Sequence, residues 1–479
     1  MAEHFGLTLA GGGTPTGQVE VRCPYDDELL ATVDTIDETL AEQAMATAHG
    51  LYRDRSKWLP VPERLAILHR AAAIMKERAD ALALGAASEG GKPLMDSQVE
   101  VARAIEGVEL AAECLKSQSG TQYPMGVTGA SANRISFSMH EPIGVVVAVS
   151  AFNHPLNLIV HQVAPAIAAG CPVLVKPAAA TSLSCFRFVH ILREAGLPDE
   201  WCQVTTTENN RIATGLVADA RTGFFSFIGS AKVGWMLRSK LAPGARCALE
   251  HGGVAPVIVA ADADLDNAVP LLTKGGFYHA GQVCVSVQRI FAHRSIARDL
   301  AGRIAAAGDQ LKVGDPRLPE TEVGPLINPG EVDRIEEWVN EAVSGGAELV
   351  TGGARLDYNC YRPTVLLNPS DDATISRNEV FGPVVCVYEY DDMDEALARA
   401  NALDVSFQAA VFTQDIDTAM TAYRGLDASA VMINDHTAFR VDWMPFAGLR
   451  VSGHGVGGID FTFEEMQISK MAVLRSLAL

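Results

Sequence analysis

The sequence contains no Cys-X-X-Cys pair, and its nine cysteines are scattered along 479 residues. Such spacing predicts neither a disulfide framework nor a zinc site, and it is typical of reduced thiols in a reducing compartment. We therefore expect no bound metal. Most of the cysteines should be small buried side chains. A reactive cysteine must be recognised from its surroundings.

Positive charge and long apolar runs are also scarce. The chain carries 38 Lys and Arg against 58 Asp and Glu, a net charge of −20. A nucleic-acid partner would require a basic face, so none is expected. No apolar run could span a bilayer, which excludes a membrane partner, and the N-terminus MAEHFGLTLAGGG lacks the pattern of a secretory signal. The sequence predicts a cytoplasmic globular protein.

Strand-like and helix-like segments alternate through most of the chain. The segments 143–150, 171–177, 224–230 and 245–253 are typical of buried parallel strands, and helix-like stretches separate them. A second alternating block follows from residue 255. The chain before residue 120 is predicted to be largely helical. This rhythm predicts an α/β fold of two doubly wound lobes that share a cleft.

Polar residues follow four of the predicted strands. Asn153, Lys176, the pair Gly229-Ser230 and Glu250 each stand where a strand ends. Ligands of doubly wound sheets bind beyond the carboxyl ends of the strands. An amide there can stabilise an oxyanion, and a carboxylate can act as a base. Taken singly, Asn153 could equally cap a turn and Glu250 could be solvated surface.

The turn GQVC places Cys284 between a helix-like and a strand-like segment. A glycine-bounded turn that presents a thiol to a cleft suits a nucleophile, provided that a base or a positive charge lies near it. Cys284 could also be one more buried cysteine, because a motif of four residues often occurs by chance. The residues at the strand ends favour the nucleophile.

The ordered series FNHP, VKP, FIGSxxVG, LEHGG, GQVC, EVFGP and MPFAGLRxSG resembles the aldehyde dehydrogenase superfamily over nearly the whole chain. The resemblance implies that Cys284 attacks an aldehyde to give a thiohemiacetal. Hydride transfer to a nicotinamide would leave a thioester. The Asn153 amide and the Cys284 N–H would hold the oxyanion, and Glu250 would activate the hydrolytic water.

The resemblance also implies a cofactor site without the usual G-x-G-x-x-G fingerprint. The match at Gly453, Gly455 and Gly458 follows no buried strand and has too little chain after it for a βαβ unit. The positions implied to bind the cofactor are Ser150, Ala151, Phe152, Lys176, Ala178, Ala179, Gly229, Ser230, Gly234, Glu379 and Phe381. Ala179 replaces a glutamate that repels a 2′-phosphate in many members, so NAD or NADP is expected.

The segment 433–448 resembles the branch that includes lactaldehyde and phosphonoacetaldehyde dehydrogenases. Arg440 or His436 could contact a carboxylate, phosphonate or hydroxyl of a small aldehyde. Alternatively, Arg440 could pair with Asp442 or with a neighbouring subunit. The spacing of His154, Asn157 and His161 predicts one helical face toward the pocket.

The resemblance divides the chain into functional parts. Residues 1–120 and 141–250 are implied to bind NAD(P), and residues 251–435 to form the catalytic domain. Residues 121–140 and 456–479 are implied to pair subunits in a homodimer or homotetramer. Two other functions stay open: an acylating dehydrogenase that uses coenzyme A, which typically lacks the carboxylate of Glu250, and an inactive binding or structural protein on the same fold.

Overall fold

A computed structural model describes residues 2–479, which form 21 β-strands and 15 α-helices. In chain order, the strands are β1 Glu3–Phe5, β2 Gly17–Arg22, β3 Leu29–Thr35, β4 Gln122–Tyr123, β5 Arg134–Pro142, β6 Val145–Val149, β7 Val173–Lys176, β8 Cys202–Val204, β9 Thr222–Ile228, β10 Arg246–Glu250, β11 Pro256–Val259, β12 Arg289–His293, β13 Glu348–Thr351, β14 Thr364–Leu367, β15 Val384–Tyr390, β16 Val405–Ser406, β17 Gln408–Phe412, β18 Ala430–Ile433, β19 Leu449–Arg450, β20 Gly453–His454 and β21 Gln467–Arg475.

The α-helices are α1 Glu38–Arg53, α2 Val61–Glu77, α3 Ala79–Gly90, α4 Leu94–Ser117, α5 Asn157–Ala169, α6 Leu183–Glu194, α7 Asn210–Ala218, α8 Ala231–Arg238, α9 Leu265–Phe277, α10 Arg294–Gln310, α11 Pro329–Ser344, α12 Thr374–Arg377, α13 Met393–Ala400, α14 Ile416–Gly425 and α15 Ile459–Glu465. No helix within residues 2–479 is both long enough and apolar enough to cross a membrane.

A six-stranded sheet has the order β20-β10-β9-β6-β7-β8 and is parallel except at β20. Its central strand β6 is a run of Val and Ala that is buried along most of its length, as suits a sheet covered on both faces. Four neighbouring strands, β10, β9, β6 and β7, end side by side. Three of the four polar strand ends, at Asn153, Gly229-Ser230 and Glu250, line one crevice, and Lys176 at the end of β7 does not.

A seven-stranded sheet has the order β13-β14-β15-β12-β11-β17-β18 and is parallel except at β13. Helices α9, α10 and α13 contact it, and the buried cluster around β11, β12 and β15 is its core. With the first sheet, it confirms the predicted α/β class with two doubly wound lobes.

The prediction that the chain before residue 120 is largely helical is wrong for residues 2–35. This part contains no helix and contributes three strands to a sheet of order β1-β3-β2. Its buried side chains Val21, Ala31 and Val33 belong to the same apolar cluster as α2, α4 and α5. Such short strands bury one face only by packing on helices formed later in the chain, so their local pattern is a weak signal.

Two helices begin at carboxylates supplied by other helices. Glu100 of α4 accepts hydrogen bonds from the backbone N–H groups of Leu156 (2.9 Å) and Asn157 (3.0 Å) at the start of α5. Glu89 of α3 does the same for the N–H group of Leu183 at the start of α6, at 2.7 Å. Ser182 occupies the cap position of α6, and its side chain makes no capping hydrogen bond within the described chain. Buried anions at helix N-termini satisfy free N–H groups.

A further sheet, which is antiparallel, has the order β21-β5-β4. Its strands come from the two segments implied to pair subunits, 121–140 and 456–479. The second segment is not strand throughout, because residues 459–465 form helix α15, whose Ile459 and Phe463 are buried in the core. Their spacing of four residues is typical of a helix.

Candidate active site

A cavity of about 870 Å³ lies where the carboxyl ends of β6, β9 and β10 face the segments around the seven-stranded sheet. The side chains of Asn153, Glu250 and Cys284 all line it. These residues are up to 131 positions apart in the chain, and the fold brings them to one cavity. The interpretation of Cys284 as a nucleophile required such neighbours.

The turn that carries Cys284 is held in an uncommon backbone conformation. His279, Ala280 and Gly281 have positive φ values of 47°, 52° and 69°. A side chain at Gly281 would collide with the carbonyl oxygen of Gly382. Only glycine both adopts this conformation freely and allows that approach, which explains the glycine of GQVC.

Gln282 connects this turn to the rest of the site. Its backbone carbonyl accepts a hydrogen bond from Asn153 Nδ2 at 2.9 Å. Its side-chain oxygen accepts from the N–H group of Ile327 (3.0 Å), and its Nε2 donates to the carbonyl of Pro325 (3.2 Å). The amide of Asn153 is thereby fixed beside the Cys284 turn. Sequence reasoning missed this role of Gln282, although its place inside the GQVC motif was a signal.

The ionisable groups around Cys284 shift its pKa in opposite directions. Burial and the nearby carboxylates of Glu379 and Glu250 raise the pKa of the thiol, and the guanidinium of Arg440 opposes them. Burial raises the pKa of Glu250 to about 7 and that of Glu379 to about 8. The thiol is therefore protonated near neutral pH, and Glu250 is poised to exchange a proton there.

Arg440 is one of three cationic side chains that line the cavity, with Arg103 and Lys274. Its side chain is 10% exposed, its Nε lies 3.7 Å from Asp442 Oδ1, and its guanidinium carbon lies 3.7 Å from the ring centre of Phe446. Within residues 2–479, Nη1 is buried and has no hydrogen-bond partner. Burial lowers the pKa of Arg440 to about 10, so the side chain stays charged. Arg440 therefore pairs loosely with Asp442 and also lines the cavity, and its contact with a substrate stays a prediction.

Asp442 is held by other partners more tightly than by Arg440. Arg103 of α4 donates to both of its carboxylate oxygens, at 2.6 and 3.0 Å, and His161 Nε2 lies 2.8 Å from Oδ1. Burial would raise the pKa of Asp442, but the hydrogen bonds from His161 and Arg103 lower it well below its usual range. Arg103 also lines the cavity, and sequence reasoning missed it.

The other residues expected near a substrate lie on the same wall. His154, Asn157, His161 and His436 line the cavity. His154 was expected on the helix but precedes α5, which begins at Asn157. Its Nε2 lies 3.1 Å from the hydroxyl of Tyr278. Burial lowers the pKa of both His154 and His161, so each is neutral unless a carboxylate holds its proton.

Most of the residues expected at the cofactor also line the cavity. These are Ser150, Ala151, Phe152, Ala178, Gly229, Ser230, Glu379 and Phe381. Within the described residues, the buried Oε1 atom of Glu379 has no hydrogen-bond partner. Lys176, Ala179 and Gly234 lie outside the lining. Gly234 is buried in α8, where a side chain would collide with the ring of His251, so packing accounts for this glycine.

Comparison with known proteins gives the site its context. The family model described as "Aldehyde dehydrogenase family" matches residues 13–472. The chain belongs to the aldehyde dehydrogenase family. The resemblance drawn from the motifs is confirmed, and the chain is a member of a family of NAD(P)-dependent oxidoreductases.

Individual members of the family match over nearly their full length. A 3-sulfolactaldehyde dehydrogenase of Priestia megaterium is 37% identical over 473 residues, 98% of each chain. The crystal structure of an aldehyde dehydrogenase of Physcomitrella patens, in complex with the reaction product succinate, has a TM-score of 0.95 and 32% identity and covers 100% of this chain and 99% of its own. A glyceraldehyde-3-phosphate dehydrogenase of Methanocaldococcus jannaschii, complexed with NADP, has a TM-score of 0.91 and 33% identity, with coverage of 96% and 100%.

The charge balance around Cys284 predicts how fast its thiol is alkylated. Glu379→Gln removes a carboxylate that raises the thiol pKa, so we expect iodoacetamide to label Cys284 about 3- to 10-fold faster at pH 8. Arg440→Met removes the opposing charge and should slow labelling. Peptide mass spectrometry measures both rates, and Cys247, the other half-buried cysteine, is the internal control. Equal Cys284 rates in all three proteins would contradict this electrostatic interpretation.

Proposed function

We propose that this enzyme oxidises a small anionic aldehyde to its carboxylate with NAD(P), through a covalent bond to Cys284. One observation carries the proposal. Cys284, Glu250 and Asn153 line one cavity together with Arg440, which is buried and has an uncommitted N–H group. A nucleophile, a base, an oxyanion donor and an anchor for a negative charge are the groups that this reaction needs.

The first step is attack on the aldehyde. Glu250, ionised above its pKa of about 7, takes the proton of the Cys284 thiol, directly or through water. The sulfur then bonds to the carbonyl carbon, and the carbonyl oxygen becomes an oxyanion. Asn153 Nδ2 uses one hydrogen on the Gln282 carbonyl and has a second for this oxygen, beside the Cys284 N–H.

Several residues that line the cavity fit a dinucleotide. Helix α8 begins directly after Ser230, and its free N–H groups would hold a pyrophosphate. The unpartnered Oε1 of Glu379 would accept a hydrogen bond from a ribose hydroxyl. A bound NAD(P)⁺ would supply the hydride acceptor for the former aldehyde carbon, which would leave a thioester on Cys284. Phe381, with φ of 49°, packs edge-on against Phe152, and both rings line the cavity.

The last step is hydrolysis of the thioester. Glu250 first releases the thiol proton to solvent and then removes a proton from water, the resulting hydroxide adds to the acyl carbon, and the Cys284 thiolate leaves. The carboxylate product departs, and the thiol regains a proton. The overall reaction consumes one aldehyde, one NAD(P)⁺ and one water, and it releases a carboxylate, NAD(P)H and two protons.

The negative charge of the substrate is inferred from Arg440. Asp442 is already bonded to Arg103 and His161, so it neutralises Arg440 only in part. A buried guanidinium needs an anionic partner, and a substrate carboxylate, sulfonate or phosphonate supplies one. The relatives named above are consistent with this, since one acts on a sulfonated aldehyde and another binds succinate.

Cofactor choice stays open between NAD and NADP. Ala179 is exposed and offers no carboxylate that would repel a 2′-phosphate. The relative complexed with NADP supports acceptance of the phosphorylated form. We assign cofactor binding to residues 1–120 and 141–250, and the nucleophile to residues 251–435. The nine cysteines are all free, which fits a reducing compartment such as the cytosol.

The proposed reaction predicts turnover without coenzyme A. The purified enzyme, given 4-oxobutanoate and either NAD or NADP, should form NAD(P)H and succinate in equal amounts. Cys284→Ala should form neither, because the nucleophile is missing. Absorbance of NAD(P)H and chromatography of the acid give the measurement. Turnover by Cys284→Ala would refute the mechanism, and a strict need for coenzyme A would favour the acylating alternative.

The charge of Arg440 predicts substrate selectivity. We expect Arg440→Met to lower the ratio of kcat/KM for 4-oxobutanoate to that for butanal, which has the same chain length, by about 10- to 100-fold. Any loss on butanal itself reports the effect of Arg440 on Cys284. An unchanged ratio would mean that the anion binds elsewhere.

We also propose that β21 pairs subunits in a homodimer or homotetramer. It is a nine-residue edge strand, and its side chains Met471 and Val473 are 58% and 50% exposed. Long exposed edges of this kind are usually covered by a partner. Light scattering should therefore give a smaller molecular mass for the double variant Met471→Asp/Val473→Asp than for the control variant Ile416→Asp. Ile416 is exposed on α14, away from this sheet. Equal masses would exclude β21 as the interface.

A further inference from the structure

The imidazole of His251, the residue directly after Glu250, is buried between β9 and α8. The residue is 2% exposed and belongs to the lining of the cavity. Its ring centre lies 5.6 Å from that of Phe227 and 6.1 Å from that of Trp235. Gly234 leaves room for the ring, since a side chain at this position would collide with it. This packing gives the imidazole little freedom to turn.

Within the described chain, the imidazole of His251 makes one hydrogen bond, to the turn that leads into α8. Its Nδ1 lies 2.9 Å from the carbonyl oxygen of Gly229. A carbonyl oxygen only accepts, so Nδ1 carries the proton of this bond. Burial lowers the pKa of His251, although the bond to Gly229 opposes the shift. The ring is therefore neutral near pH 7, with its single proton on Nδ1.

A second hydrogen bond fastens the same turn to the end of β10. The N–H group of Gly229 donates to the carbonyl of Glu250 at 3.0 Å. Both backbone polar groups of Gly229 are thus held by the adjacent residues Glu250 and His251. The N–H group of His251 donates in turn to the carbonyl of Ser452, also at 3.0 Å, which anchors His251 itself. The turn before α8 therefore cannot shift unless these contacts with β10 break or move with it.

The bond from His251 also determines how the next N–H group is directed. The carbonyl of Gly229 and the N–H of Ser230 belong to one trans peptide plane, in which they point in opposite directions. Because the carbonyl is held against His251, the N–H of Ser230 points away from the buried ring. Helix α8 follows directly, and the N–H groups at its start are the ones that would hold a pyrophosphate.

The residues after His251 contact a second part of the proposed cofactor site. A side chain at Gly252 would overlap with the carboxylate of Glu379, so this carboxylate packs directly on the backbone at Gly252. Residues 250–252 therefore carry the proposed base and contact both the turn before α8 and the carboxylate proposed to bind a ribose. Hydrogen bonds weaken steeply when donor and acceptor are misaligned, so a cofactor held in this way requires the turn to stay in place.

We infer that His251 is a positioning residue for the dinucleotide: by holding the Gly229 carbonyl, it directs the N–H groups at the start of α8 toward the pyrophosphate. The inference rests on the cofactor site of the proposed function. Without the imidazole donor, the peptide between Gly229 and Ser230 loses the bond that fixes its orientation. The loss should affect ligands that contain a pyrophosphate and should spare those that do not.

The test measures ligand binding without turnover. Isothermal titration calorimetry of the purified enzyme gives the dissociation constants of NAD, NADP, ADP-ribose and adenosine, of which only adenosine lacks the pyrophosphate. His251→Leu keeps an apolar side chain in the packing but removes the donor. We expect this variant to bind the three pyrophosphate ligands about 10-fold more weakly than the wild type, and adenosine within about 2-fold.

Two further variants test the hydrogen bond itself. His251→Asn has an amide nitrogen two bonds beyond Cβ, as Nδ1 is in histidine, so it should bind NAD and NADP within about 3-fold of the wild type. His251→Gln has its amide nitrogen one bond farther out, as Nε2 is, and should resemble His251→Leu. This pair decides the question even if His251→Leu does not fold.

The outcomes separate the inference from the proposed function. If His251→Leu binds NAD and NADP like the wild type, or if His251→Asn and His251→Gln bind them equally, the Nδ1 bond has no positioning role and the proposed function stands. If the variants lose adenosine by the same factor as the dinucleotides, His251 serves the fold alone, and the inference fails. If the wild type binds neither NAD nor NADP, the cofactor site of the proposed function is itself wrong.

Discussion

The rest of this site depends on the electrostatic interaction of the buried Cys284 thiol with two carboxyl groups and one guanidinium. These groups belong to Glu250, Glu379 and Arg440. In a cavity of low dielectric, each of these charges acts strongly on its neighbours. Burial keeps Cys284 protonated and raises the pKa of Glu250 to about 7, so a proton can pass between them at neutral pH. Arg440 limits both shifts by its positive charge. A substrate anion that binds Arg440 would join this balance, which links recognition to reactivity.

Contacts between residues that are far apart in the chain hold these groups in place. The Asn153 amide is set by the carbonyl of Gln282, and the start of α5 is fixed by Glu100, itself paired with the fully buried Lys92 at 2.5 Å. Breaking such a buried pair leaves an uncompensated charge, which typically costs about 3–5 kcal/mol. These contacts fix the start of α5, the helix that carries Asn157 and His161, as an ordered site requires.

The sequence made part of this site predictable. Asn153 and Glu250 could be found because they end parallel strands, and neighbouring parallel strands end at one edge. Cys284 needed those neighbours, since its own tetrapeptide was ambiguous. The contact between Arg103 and Asp442 joins residues 339 positions apart and left no local signal. Glu89 and Glu100 likewise left no local signal, because they cap helices other than their own. The same is true of the N-terminal sheet β1-β3-β2, whose strands pack on helices that follow them in the chain.

Trapping the acyl-enzyme tests the central claim most directly, since Cys284 is proposed to carry the acyl group and Glu250 to release it. Glu250→Gln is mixed with 4-oxobutanoate and the cofactor, and the NAD(P)H formed is compared with intact-protein mass. Because Glu250 also takes the thiol proton in the first step, the account predicts that this variant forms NAD(P)H more slowly than the wild type, to about one per chain with only slow turnover afterwards, and that a succinyl adduct accumulates on Cys284. Steady turnover at the wild-type rate, or an adduct on a different residue, would contradict it.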